Sequence, residues 1–155
     1  MRHSLIYIAA AAVAVAVVAS IYAESRTEPV APSIPIVHRQ SVIVLKGQMV
    51  RVTVASTPAA RQQGLSGRSG LAQDEGMLFV FPEDGEYGFW MKDMLFPIDI
   101  VWLDADGTVV YIAPEVSPDS YPTSYRPATS SRYVVELPAG WVKVYNLSIG
   151  DRAEL

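Results

Sequence analysis

The side chains able to do chemistry in this chain are few, and most of them lie between residues 61 and 99. Arg61 and Arg68 bracket the run Gln62-Gln63-Gly64-Leu65-Ser66-Gly67. An arginine beside free backbone N–H groups clamps a carboxylate or phosphate well, because its planar fork meets two oxygens at once. The competing reading pairs both arginines with acids of the same domain and so fixes the Gly64–Gly70 loop. Asp99 sits in Phe96-Pro97-Ile98-Asp99-Ile100-Val101-Trp102-Leu103, where both faces of a strand are otherwise apolar. A carboxylate so placed must be paired, hydrogen-bonded or neutralised, because burying it bare is very costly. It serves either as a pocket acid or base or, the favoured expectation, as the structural partner of an arginine. Phe89, Trp90, Met91 and Met94 suit the wall of an apolar ligand slot, although core packing is the ordinary use of such residues. Thioethers beside an indole also suit Cu(I), with Met77 as a further sulfur.

What is missing narrows the chemistry. Cysteine is absent, which removes thiol nucleophiles, disulfides and thiolate metal sites together. The only two histidines, His3 and His38, precede the domain that must hold the residues above. A Ser-His-Asp hydrolase, an imidazole-bound zinc or a histidine general base is therefore not expected, nor is any cofactor. The formal charge of -4 is unevenly spread: residues 1–40 hold Arg2, Arg26 and Arg39 against Glu24 and Glu28. Of 12 basic and 16 acidic residues, nine and fourteen remain beyond, a balance of -5 with the basic residues scattered singly. A nucleic-acid partner, which needs a basic stripe to neutralise phosphates, is not expected.

The elements that must position these residues follow from periodicity. Val50, Val52 and Val54 alternate with Arg51 and Thr53, as in a half-buried strand, and Ser41–Leu45 reads as a preceding strand turned at Lys46-Gly47. Thr57 suits a helix N-cap, Pro58 the first helical position and Gly64 the left-handed exit, predicting a helix of about two turns. Further strands are expected at 77–81, 87–91, 98–103, 108–113, 132–137, 141–145 and 152–155, with Asp104-Ala105-Asp106-Gly107 as a hairpin turn. The fold class is therefore mainly β, a small barrel or sandwich of short strands with one short helix. Pro114–Ser131, rich in Pro, Ser and Tyr, reads as a long irregular loop.

Ahead of this domain, residues 5–23 form an uncharged run behind Met-Arg-His-Ser. As a helix it spans roughly 28 Å, near the thickness of a bilayer's hydrocarbon layer. An N-terminal hydrophobic helix acting as an uncleaved anchor in the cytoplasmic membrane is favoured over a removed signal peptide. Arg2 and the positive-inside bias place the domain on the outer side, in the cell envelope, or secreted if the leader is cleaved. Residues 24–40, with Pro29, Pro32 and Pro35, read as an extended tether, leaving 41–155 as the globular domain.

Four ordered motifs carry a likeness: Ala60 to Arg68, Glu75-Gly76-Met77-Leu78-Phe79-Val80-Phe81, Phe89-Trp90-Met91-Lys92-Asp93-Met94 and Pro97-Ile98-Asp99-Ile100. Val135-Glu136-Leu137-Pro138-Ala139-Gly140 and Ile149-Gly150-Asp151 extend it. Together they resemble the bacterial and archaeal family known as domain of unknown function 192. The resemblance implies a compact, mostly β domain, often behind an export signal, and assigns no catalytic residue; Pro114–Ser131 matches it weakly. The combined expectation is a membrane-tethered extracytoplasmic binding or accessory domain. Its pocket, for a small molecule or an extended peptide, would be formed by Arg61, Arg68, Trp90, Met91, Met94 and Asp99. The alternatives are an envelope enzyme using Asp99 with Arg61, or a structural module that binds another envelope protein through its tyrosine-bearing loop.

Overall fold

The computed structural model describes residues 39–155; the expected hydrophobic helix and nearly all of the tether, residues 1–38, lie outside the described residues. Among the described residues no helix is long and apolar enough to cross a membrane. Seven strands form one sheet: β1 (Arg39–Leu45), β2 (Gln48–Ala55), β3 (Glu75–Gly85), β4 (Ile98–Leu103), β5 (Val109–Val116), β6 (Ser131–Pro138) and β7 (Ala153–Glu154), in the spatial order β5-β4-β6-β3-β2-β1-β7. All neighbours are antiparallel except β2 and β3, which the helix α1 (Pro58–Gln63) connects in parallel. The sheet curls as a half-barrel until its ends meet at one rim, where Thr108 and Arg152 pair across an isolated bridge. There the Val109 N–H donates to the Asp151 carbonyl and the Ala153 N–H to the Gly107 carbonyl, both at 2.8 Å. A second, facing sheet, as a sandwich requires, is not among the described residues.

Because the sheet is covered on both faces, it has two cores. On the concave side Ile43, Leu45, Val52, Val101, Leu103, Val135 and Leu137 pack with Trp141. On the convex side Met77, Phe79, Ile98, Ile100, Trp102 and Val134 lie under α1 and the loops around residues 89–97. β4 is buried along its whole length, which is why its sequence shows no alternation.

Two expected strands are something else. Trp141–Tyr145, whose Trp-Val-Lys-Val-Tyr pattern alternates, is a helix, α2. Gly140 enters it at a φ of 82°, open to glycine at little cost, and Asn146 leaves it in the left-handed region. The Asp99 carboxylate receives the Gly140 and Val142 N–H groups at its start, so a tertiary contact overrides the local pattern. Residues 87–91 form an irregular cover, not a strand. Its only ladder contact among the described residues is the Phe89–Tyr125 bridge, and Gly88 interrupts it.

Candidate functional site

A cavity of about 650 Å³ opens on the convex face between α1, its exit loop and the 87–94 segment. The helix is set by its ends. Thr57 Oγ1 accepts the Ala60 N–H at 3.1 Å, and the Gly64 N–H closes the last turn onto the Ala60 carbonyl at 3.0 Å. Gly64 has a φ of 51°, a backbone conformation that side-chain-bearing residues rarely adopt, and packs beside the Phe79 ring. The exit loop is tied across the opening: Ser66 Oγ donates to the Lys92 carbonyl and the Gly67 N–H to the Asp93 carbonyl, each at 3.0 Å.

The walls are aromatic. Phe81 and Tyr87 stack with centroids 3.5 Å apart, while Phe89 meets Phe79 edge-on at 4.8 Å. Trp102, buried beneath, donates its indole N–H to the Tyr87 carbonyl at 2.8 Å and so fixes the covering segment to the sheet. Arg61 lies over the Phe81 ring, its Cζ 5.0 Å from the centroid. One terminal nitrogen of Arg61 donates to the Ser56 and Val80 carbonyls. Trp90, 54% exposed, stands at the mouth against Tyr121.

Glu136 is also part of the lining. It lies on the central strand β6, paired with Met77 of β3 on one side and Ile100 of β4 on the other, two residues of the convex core. The side chain is 5% exposed, and its Oε2 is buried with no hydrogen-bond partner. Burial raises its pKa from 4.5 to about 8, against the opposing pull of the Arg68 charge. At neutral pH the group is therefore mostly a neutral acid, with one O–H to donate and no acceptor in the protein for Oε2.

Of the residues expected at a site, Arg61, Trp90 and Met94 line this cavity. Met91, 1% exposed, belongs to the core beneath it. Arg68 is not in the lining, but its charge reaches Glu136. Neither Arg61 nor Arg68 forms an ion pair among the described residues, contrary to the competing reading of both. Asp99 is elsewhere. Its strand neighbours Ile98 and Ile100 face the convex core, so Asp99 points to the concave side and receives backbone N–H groups from Glu115, Gly140 and Val142 at 2.7, 3.1 and 2.7 Å. The expected arginine partner is corrected to these three amides, and Asp99 is not part of the lining that holds Arg61. Glu136 was missed, although Val134-Val135-Glu136-Leu137-Pro138 carries the signal that drew attention to Asp99, an acid inside an apolar run.

The family profile of domain of unknown function 192, described as an uncharacterized ACR, matches residues 41–155. The chain belongs to this family. No curated protein matches it significantly. Crystal structures similar to it include these two. One, from Sinorhizobium meliloti 1021 and provisionally assigned as a transcription regulator, is 34% identical with a TM-score of 0.72, over 77% of this chain and 95% of its own. The other, a protein of unknown function from Novosphingobium aromaticivorans DSM 12444, is 26% identical with a TM-score of 0.73, over 78% of this chain and 89% of its own.

Proposed function

We propose that this chain is an extracytoplasmic binding domain, held at the membrane by residues 5–23, whose convex-face cavity takes a small ligand or one side chain of an extended peptide. The observation that carries the binding part is the unpartnered, buried carboxyl of Glu136 in the wall of an open cavity. An unsatisfied buried polar group costs about 1–3 kcal/mol. A fold that keeps one beside a hollow gains if a ligand satisfies it. The tether rests on the uncharged run behind Arg2. The regulator assignment of the S. meliloti relative is not carried over, because nine basic against fourteen acidic residues beyond residue 40 make a poor phosphate-binding surface.

The test has two arms. A fragment screen read by amide chemical shifts should return hits that converge on Gly64, Leu65, Phe79 and Phe89, and Glu136→Leu should abolish them. Hits scattered over the surface would remove the cavity from consideration. Fractionation should find the full-length mass with membranes; a soluble mature chain starting near Glu24 would overturn the anchor and leave the export.

A further inference from the structure

Resting on that binding reading, we propose a ligand class for the cavity: a small organic anion with an apolar body. Its carboxylate would lie at the mouth near Arg61 and Lys92, and a neutral oxygen such as a ketone would accept a hydrogen bond from Glu136 inside. Four observations converge on this class. The body of the ligand would meet Phe79, Phe81, Phe89 and Met94, a lining that favours rings or branched chains. The unpartnered, 5% exposed Glu136 side chain selects the inner group. Its raised pKa of about 8 makes it a donor at neutral pH, matched by a neutral acceptor and not by a second charge.

The fourth observation is the charge around the opening. Lys92 is exposed, Arg61 keeps nitrogens beyond the one bound to Ser56 and Val80, and the charge of Arg68 reaches Glu136 from outside the lining. None of these three forms an ion pair among the described residues. The charged and titratable groups that share the lining with Glu136 are Arg61 from α1 and Tyr87, Lys92 and Asp93 from the covering segment, and the charge of Arg68, from the exit loop, also reaches it. The flanking strand positions are the apolar Met77 and Ile100. Two cations of the lining, Arg61 and Lys92, against Asp93 disfavour an amine and favour an anion at the mouth.

Matched probes test each part on the full chain in detergent: 4-oxo-4-phenylbutanoate, 4-phenylbutanoate, which lacks the ketone, and 4-phenylbutylamine, which reverses the charge. Affinity and location are read by amide chemical shifts. The keto acid should shift the cavity residues and bind about tenfold more tightly than the deoxy acid, the worth of one hydrogen bond. Raising the pH from 6.5 to 9.5 should remove that preference. Glu136→Gln, which still donates an N–H, should keep the preference and lose its pH dependence. Equal binding of the two acids, or a preference independent of pH, overturns the role of Glu136. Tighter binding of the amine within the cavity overturns the ligand class and leaves the binding site standing. Shifts from no probe at the cavity residues would overturn both readings.

Discussion

Replacing Glu136 by Gln should change how stability depends on pH, and the size of the effect follows from burial. The folded chain holds the Glu136 proton up to about pH 8, whereas the unfolded chain releases it near the ordinary 4.5. Since the folded pKa is the higher, stability from this group is fully present below pH 4.5 and lost as pH rises through 8. The loss runs at about 1.4 kcal/mol per pH unit, so between pH 5 and pH 8 it amounts to about 3–4 kcal/mol. Glutamine does not titrate. At pH 5 the variant should be no more stable than wild type, because its own amide is imperfectly satisfied at a cost of about 1–3 kcal/mol. Its relative stability should then climb by about 3–4 kcal/mol to pH 8. Urea denaturation followed by the fluorescence of the buried Trp102 and Trp141 measures this directly. A difference between the two proteins that stays constant within about 1 kcal/mol from pH 5 to pH 8 would mean that folding does not raise the Glu136 pKa.

Two other substitutions probe the frame around the cavity. Asp99→Asn keeps one acceptor oxygen and turns an amide toward N–H groups that now meet a carboxylate, so it should cost about 2–3 kcal/mol in denaturation; a loss under about 0.5 kcal/mol would show that the three amides do not depend on the charge. Gly76→Ala would put a methyl 2.8 Å from the Glu136 carbonyl of the paired strand, forcing β3 and β6 apart for about 1–3 kcal/mol by the same assay. No loss there would mean that the two central strands have slack.

Much of the frame was legible because local chemistry and tertiary packing agree. Thr57, Pro58 and Gly64 mark the helix they cap, and Lys46-Gly47 turns β1 into β2. Asp104 builds its hairpin turn by accepting the Asp106 and Thr108 N–H groups. Where the two disagree, tertiary contacts prevail over local pattern. Trp141–Tyr145 has a strand pattern, but Gly140 and the distant Asp99 carboxylate turn it into a helix. Asp99 itself was recognisable as a buried acid, while its partners were not, because backbone amides leave no mark in a sequence. Glu136 carried the same mark as Asp99. What separates the two acids is visible only in three dimensions: one receives three N–H groups on the concave side, and the other has an oxygen with no partner beside a hollow.

Whether burial keeps the Glu136 acid neutral beside the cavity is read most directly from its side-chain carboxyl carbon resonance, followed by NMR across pH. A single titration centred near pH 8 is expected, with the proton retained at pH 7. A midpoint near the ordinary 4.5 would mean that water or an unrecognised partner satisfies the ionised carboxylate, and it would contradict the proposed donor role of Glu136.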